Sequence, residues 1–152
     1  MTDMGTFRTS IQIENVAERG RIATLDDVLV DTGSEYTWVP RPLLESLDVR
    51  AERTQLFRVA DGRTIERELG FAVVHAAGVF APDFVVFADP TDMLLLGARS
   101  LEGLNLRVDP VSKRLVDAGP VVTGVTDGAK ATVALEDVRS SIAVHVTARS
   151  AA

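Results

Sequence analysis

An all-β domain with one or two short helices is the fold class this sequence predicts. Three observations carry the prediction. Short runs alternate apolar and polar residues or concentrate Val, Ile and Phe; turn dipeptides separate them; and helical spacing is confined to two brief stretches. A chain of 152 residues, 46% hydrophobic and 25% charged, is of ordinary size for one domain that closes a core.

The elements follow in chain order. Phe7 to Glu14 alternates at Ile11 and Ile13, and Arg21 to Val30 carries Ile22, Leu25, Val28 and Val30, so both read as strands. Asp26 and Asp27 read as a solvated strand end or turn. Pro42, followed by Leu43, Leu44 and Leu47, predicts one or two helical turns opened by a proline at the first helical position. Residues 55–70, QLFRVADGRTIERELG, set Asp61-Gly62 between two strand-like arms, the strongest hairpin signal in the chain. Leu69 to Phe87 is rich in Val and Phe, with turns expected at Ala81-Pro82 and Asp89-Pro90. Ala98 to Leu104 predicts a second short helix that Gly103 helps to end. After about residue 120 the composition shifts to Thr, Ala, Gly and Ser, with Gly124, Asp127 and Gly128 marking a linker. Ile142, Val144 and Val146 alternate there. The expected division is a domain over 1–120 and a C-terminal extension over 121–152, serving as an added strand, a regulatory segment or a poorly ordered tail.

Composition excludes several functions. The formal net charge is −6 and no basic stripe interrupts the mixed charges, which argues against nucleic acid and anionic membranes as partners. Cysteine is absent, which rules out disulfides and thiolate metal sites and fits a reducing compartment. MTDMGTFRTS lacks a basic region followed by an apolar stretch, and no run approaches bilayer-spanning length, so a cytoplasmic location is expected. His75 and His145 lie far apart and read as structural or surface residues. Gly5, Gly20 and Gly70 form no phosphate-binding pattern; no metal or cofactor is expected.

One stretch points to chemistry. In VLVDTGSEYTWVP, residues 28–40, an apolar strand runs straight into Asp31. A carboxylate there is costly unless satisfied, and Thr32-Gly33-Ser34 supplies two hydroxyls and a permissive backbone. The tripeptide alone is weak, since roughly one chain in ten of this size carries D-[ST]-G by chance. The same Asp would also serve a plain Asx-turn with no chemistry. Tyr36 and Trp38, the only residues of their kinds, read as loop-packing anchors.

Together with LLLG at residues 94–97 and the ARSLEGLNL that follows, VLVDTGS resembles the signatures of the single-lobe, retropepsin-like aspartic proteases, including their bacterial members. The resemblance spans about residues 7–117 and keeps the family's order of active-site loop, flap hairpin, paired strands and second signature. It implies a retropepsin-like acid-protease barrel with the flap at Ala60, Asp61, Gly62 and Arg63. Val59-Ala60-Asp61-Gly62-Arg63 differs from the glycine-rich flap tip of viral members and from the flap tyrosine of pepsin-like ones. Ala98 stands between the signature glycine and Arg99, where viral members place an arginine directly; a Glu35–Arg99 ion pair is the expected counterpart of the family's acid–arginine pair.

Metal-free peptide hydrolysis without a Ser or Cys nucleophile needs one carboxyl group as general base and another as acid. In aspartic proteases two such groups about 3 Å apart share a proton and titrate as a pair. This chain has one D-[ST]-G; Asp117-Ala118-Gly119 lacks the middle hydroxyl, and no internal repeat supplies a second lobe. The expectation is therefore a homodimeric endopeptidase with Asp31 facing Asp31 across a two-fold axis and a polypeptide substrate. By resemblance Thr32 points into the interface, Gly33 permits the tight turn, and Ser34 donates to the ionised carboxylate. Val59, Ile65, Phe87 and Leu95 are candidate pocket walls. The alternative is a non-catalytic peptide- or protein-binding module of the same fold.

Overall fold

The computed structural model describes residues 6–124, and the chain divides between Gly119 and Pro120. Linker and tail features at Asp127, Gly128, Ile142, Val144, His145 and Val146 lie outside the described residues. The first unit is all-β with two short helices, as expected.

Among the described residues nine strands form: β1 (Thr6–Glu14), β2 (Ile22–Asp31), β3 (Thr37–Pro40), β4 (Ala51–Arg58), β5 (Thr64–Ala76), β6 (Val79–Ala88), β7 (Leu95–Leu96), β8 (Leu106–Asp109) and β9 (Arg114–Asp117). Helix α1 covers Arg41–Ser46 and α2 Ala98–Leu104. Seven strands make one sheet in the order β1-β2-β7-β3-β6-β5-β4, and β1 also pairs with β5, so the sheet curls onto itself; β8 and β9 pair separately. Among the described residues no helix is long and apolar enough to cross a membrane.

Period-two patterning decides which face turns inward. Ile11 and Ile13 of β1, Val28 and Val30 of β2, Val74 of β5 and Val85 of β6 meet Val39, Leu44, Leu96 and Leu101 in one buried cluster. Helix α1 contributes buried Leu44 and half-buried Leu43 to this cluster; its N-cap is Pro40 and its first turn holds Pro42.

Several turns differ from the sequence reading. Ala81-Pro82 lies inside β6, where Pro82 stands opposite Val73. Strand β3 pairs β6 only over Val85–Ala88, so Pro82's missing N–H falls on a stretch that β3 does not reach. The β5–β6 connection is Ala77-Gly78, both at positive φ (51° and 81°), the geometry that matches strand twist in a two-residue hairpin. Asp26 and Asp27 do not end a strand. They bulge β2 where the β1 register shifts between Thr9 and Ile11, with Asp27 at φ 61°, its carbonyl accepting from Arg8, and Asp26 accepting from the Ser10 hydroxyl. Gly103 sits within α2; the helix stops at Asn105, whose left-handed φ of 55° forms the C-cap.

Candidate active site

Asp31 is the last residue of β2, half-buried, and the chain turns immediately after it. Its Oδ1 accepts the Gly33 N–H at 2.9 Å and its Oδ2 accepts the Ser34 hydroxyl at 3.1 Å. The Ser34 N–H returns to the Asp31 carbonyl at 3.2 Å. Both carboxylate oxygens are thus held by the loop that follows, and Thr32 and Gly33 are exposed.

The loop is in turn fixed from LLLG. Leu95 pairs with Leu29 on one side and Trp38 on the other, which inserts β7 between the strand entering the loop and the strand leaving it. Just beyond, the Ala98 N–H donates to the Ser34 carbonyl at 2.7 Å and the Arg99 N–H to the Glu35 carbonyl at 3.0 Å. These bonds require a close approach at Gly97. A Cβ there would overlap the Tyr36 carbonyl oxygen and lie 2.6 Å from its carbon and 2.7 Å from the Glu35 oxygen.

Beneath this seam lies a hydroxyl relay that sequence reading missed. Ser100 Oγ donates to Asp83 Oδ2 at 2.9 Å, so Thr37 Oγ1, 2.6 Å from Ser100 Oγ, donates to it, while accepting the Gly97 N–H at 3.1 Å. Thr37 and Ser100 are 63 residues apart and both buried, and no local pattern links them.

The Glu35–Arg99 ion pair does not form. The Arg99 guanidinium instead lies 5.4 Å from the centroid of Tyr36, a cation–π contact, because the α2 backbone brings it over the ring.

The Asp61-Gly62 hairpin joins β4 to β5. The Gly62 N–H bonds the Val59 carbonyl, the Val59 N–H bonds the Arg63 carbonyl, and Gly62 takes φ 90°, a turn followed by a left-handed residue. Ala60, Asp61, Gly62 and Arg63 are exposed. The Arg63 N–H and then its guanidinium hold the Asp61 carboxyl below the usual carboxylate range.

Of the four candidate pocket walls, Val59 and Ile65 are half-buried on the hairpin, and Leu95 is half-buried in β7. Phe87 is a correction. At 2% exposure it lies in the core cluster with the Arg41 guanidinium 5.1 Å from its ring, since its place in β6 faces inward with Val85. A residue that sequence reading missed is Phe57, two before Val59 and opposite Ile65, hence on their face of the hairpin. Its ring meets Tyr36 edge-on at 5.6 Å and 88°, and Trp38 at 5.0 Å and 61°. Period-two spacing from Val59 was the available signal.

His75 has a partner after all. Its Nε2 lies 2.7 Å from Glu14 Oε1, across the β1–β5 seam, and its ring stacks on Phe80 at 5.2 Å. Arg19, the Gly20 N–H and His75, in that order, lower the Glu14 carboxyl to about 2.

No protein-family model matches the chain, and no curated protein matches its sequence. Among solved structures it is similar to the solution structure of Simian Foamy Virus (mac) protease, at 21% identity and a TM-score of 0.44, over 63% of this chain and 92% of that one.

Proposed function

We propose that the chain is an aspartic endopeptidase whose dyad is Asp31 and its counterpart in a second copy. The observation that carries the reading is the tethered carboxylate at the end of β2, with Oδ1 and Oδ2 both held and the loop cross-tied to the residues after LLLG. A bare Asx-turn explains the first two bonds. It does not explain why a second segment, with a glycine that admits no Cβ, locks the same loop.

In the proposed reaction one carboxylate takes a proton from water as the water oxygen bonds to the scissile carbonyl carbon. The other, protonated, gives its proton to the carbonyl oxygen. Collapse of the tetrahedral diol breaks the C–N bond: the carboxyl proton passes to the leaving nitrogen while a diol hydroxyl gives its proton to the other carboxylate, which leaves a carboxylic acid, an amine and a dyad again carrying one proton. Thr32, exposed in the single chain, is assigned the contact between the two loops. The hairpin closes over an extended peptide as an added strand, with Val59, Ile65 and Leu95 along its apolar side. Residues 1–120 constitute the catalytic domain of a cytoplasmic enzyme in this reading, and 121–152 a C-terminal extension.

The test compares wild-type chain with Asp31→Asn for cleavage of unfolded casein at mildly acidic and neutral pH, with the mass of each measured in solution. Cleavage by a wild-type dimer, lost in a variant that still dimerises, is the expected result. A monomer that binds peptides equally well with either residue and cuts none would establish the binding module instead.

A further inference from the structure

Among the described residues β4 pairs with β5 alone, so the hairpin arm there is a two-stranded ribbon, and such a ribbon is at best marginally stable without support. Ionic ties serve its base: Arg67 bonds both oxygens of Asp92 at 2.7 and 2.9 Å, and Arg41 bonds Glu68 at 2.7 Å. Nearer the tip, Phe57 meets Tyr36 and Trp38, and Arg99 caps Tyr36 from α2. Three segments therefore converge on one aromatic cluster: the hairpin, the residues five and seven positions after Asp31, and the helix after LLLG.

We propose that Phe57 is a positioning residue for peptide hydrolysis: its ring clasps the hairpin to Tyr36 and Trp38 and so sets how closely the Asp61-Gly62 tip closes over an extended peptide at Asp31. The proposal rests on the reading of Asp31 as catalytic. Trp38 shares a row with Leu95 and Leu29, and Asp31 follows Leu29 on the same face of β2, so a ring seated on Trp38 governs the approach of the hairpin to that row. Each edge-on aromatic contact shifts an equilibrium by roughly two- to tenfold, and two of them act on Phe57.

Trp38 is the only tryptophan, so its emission reports the clasp without reference to catalysis. In the full chain, Phe57→Ala is expected to move that emission to longer wavelength and open it to acrylamide. Trypsin nicking at exposed Arg58 and Arg63 should become roughly tenfold faster, and KM for labelled casein should rise roughly tenfold while kcat stays within about threefold. Phe57→Tyr restores all four readouts. Phe57→Leu, which keeps most of the volume and guards against misfolding of the alanine variant, falls between. Unchanged emission and nicking in a folded Phe57→Ala chain would overturn the clasp, as would a loss confined to kcat. If the wild-type chain cuts no casein, the catalytic reading fails by itself, and emission and nicking still decide whether the clasp exists.

Discussion

Replacing Gly97 by alanine tests whether the signature glycine is there for space. Its φ of −95° suits any residue, so backbone freedom is not the reason. The added Cβ would sit 2.6 Å from the Tyr36 carbonyl carbon, and reaching an ordinary contact needs a retreat of roughly 0.8 Å. Neither wall is a flexible side chain, so the strain falls on backbone that carries the Ala98–Ser34 and Arg99–Glu35 hydrogen bonds. Overpacking of this kind costs about 1–3 kcal/mol, and two weakened backbone bonds add about 1 kcal/mol each. The sum, roughly 3–5 kcal/mol, is a large share of what holds a small domain together. In urea unfolding the midpoint should fall by about 2 M. Gly103→Ala is the control: inside α2 its new Cβ meets only Ala81 Cβ, at 3.9 Å, and the change should stabilise by about 0.5–1 kcal/mol. A Gly97→Ala midpoint within about 0.5 M of wild type would refute the close-approach argument.

Two further outcomes follow from buried polar groups. Thr37→Val strips the Gly97 N–H of its acceptor and should cost about 1–3 kcal/mol in thermal or urea unfolding, whereas Thr37→Ser should cost far less because it keeps the hydroxyl. Glu14 has a carboxyl lowered from 4.5 to about 2, so it binds protons more weakly folded than unfolded. Its contribution is in full force above pH 4.5 and is lost as pH falls through that value toward 2. Glu14→Gln should therefore flatten the acid side of the stability profile, and a profile unchanged by the substitution would show that the Arg19 and His75 contacts do not hold the charge.

Much of the framework could be read from the chain. Alternation at Ile11 and Ile13, the Val28–Val30 run into Asp31, and Asp61-Gly62 each encode local geometry within a few residues, and the strands and hairpin formed there. What stayed hidden depends on residues remote in sequence. Whether Phe87 lines a pocket or fills the core is settled by which side of β6 faces the cluster containing Leu44 and Leu96. His75 gains its carboxylate only because β1 reaches across to β5, 61 residues away. Pro82 reads as a turn because proline usually leaves a ladder; here β5 pairs opposite it but β3, on the other side, stops short of it. Glu35 and Arg99 are brought together by backbone bonds, yet the guanidinium goes to the Tyr36 ring, a choice no spacing rule encodes.

The most direct measurement of the central claim is a mixing experiment. Wild-type chain is combined with Asp31→Asn chain in equal amounts at constant total protein, allowed to exchange subunits, and assayed for casein cleavage. If the dyad takes one carboxyl from each of two copies, activity falls to about a quarter of the wild-type value, because only wild-type pairs are competent. A value of about a half, the result for chains that act singly, would contradict the account.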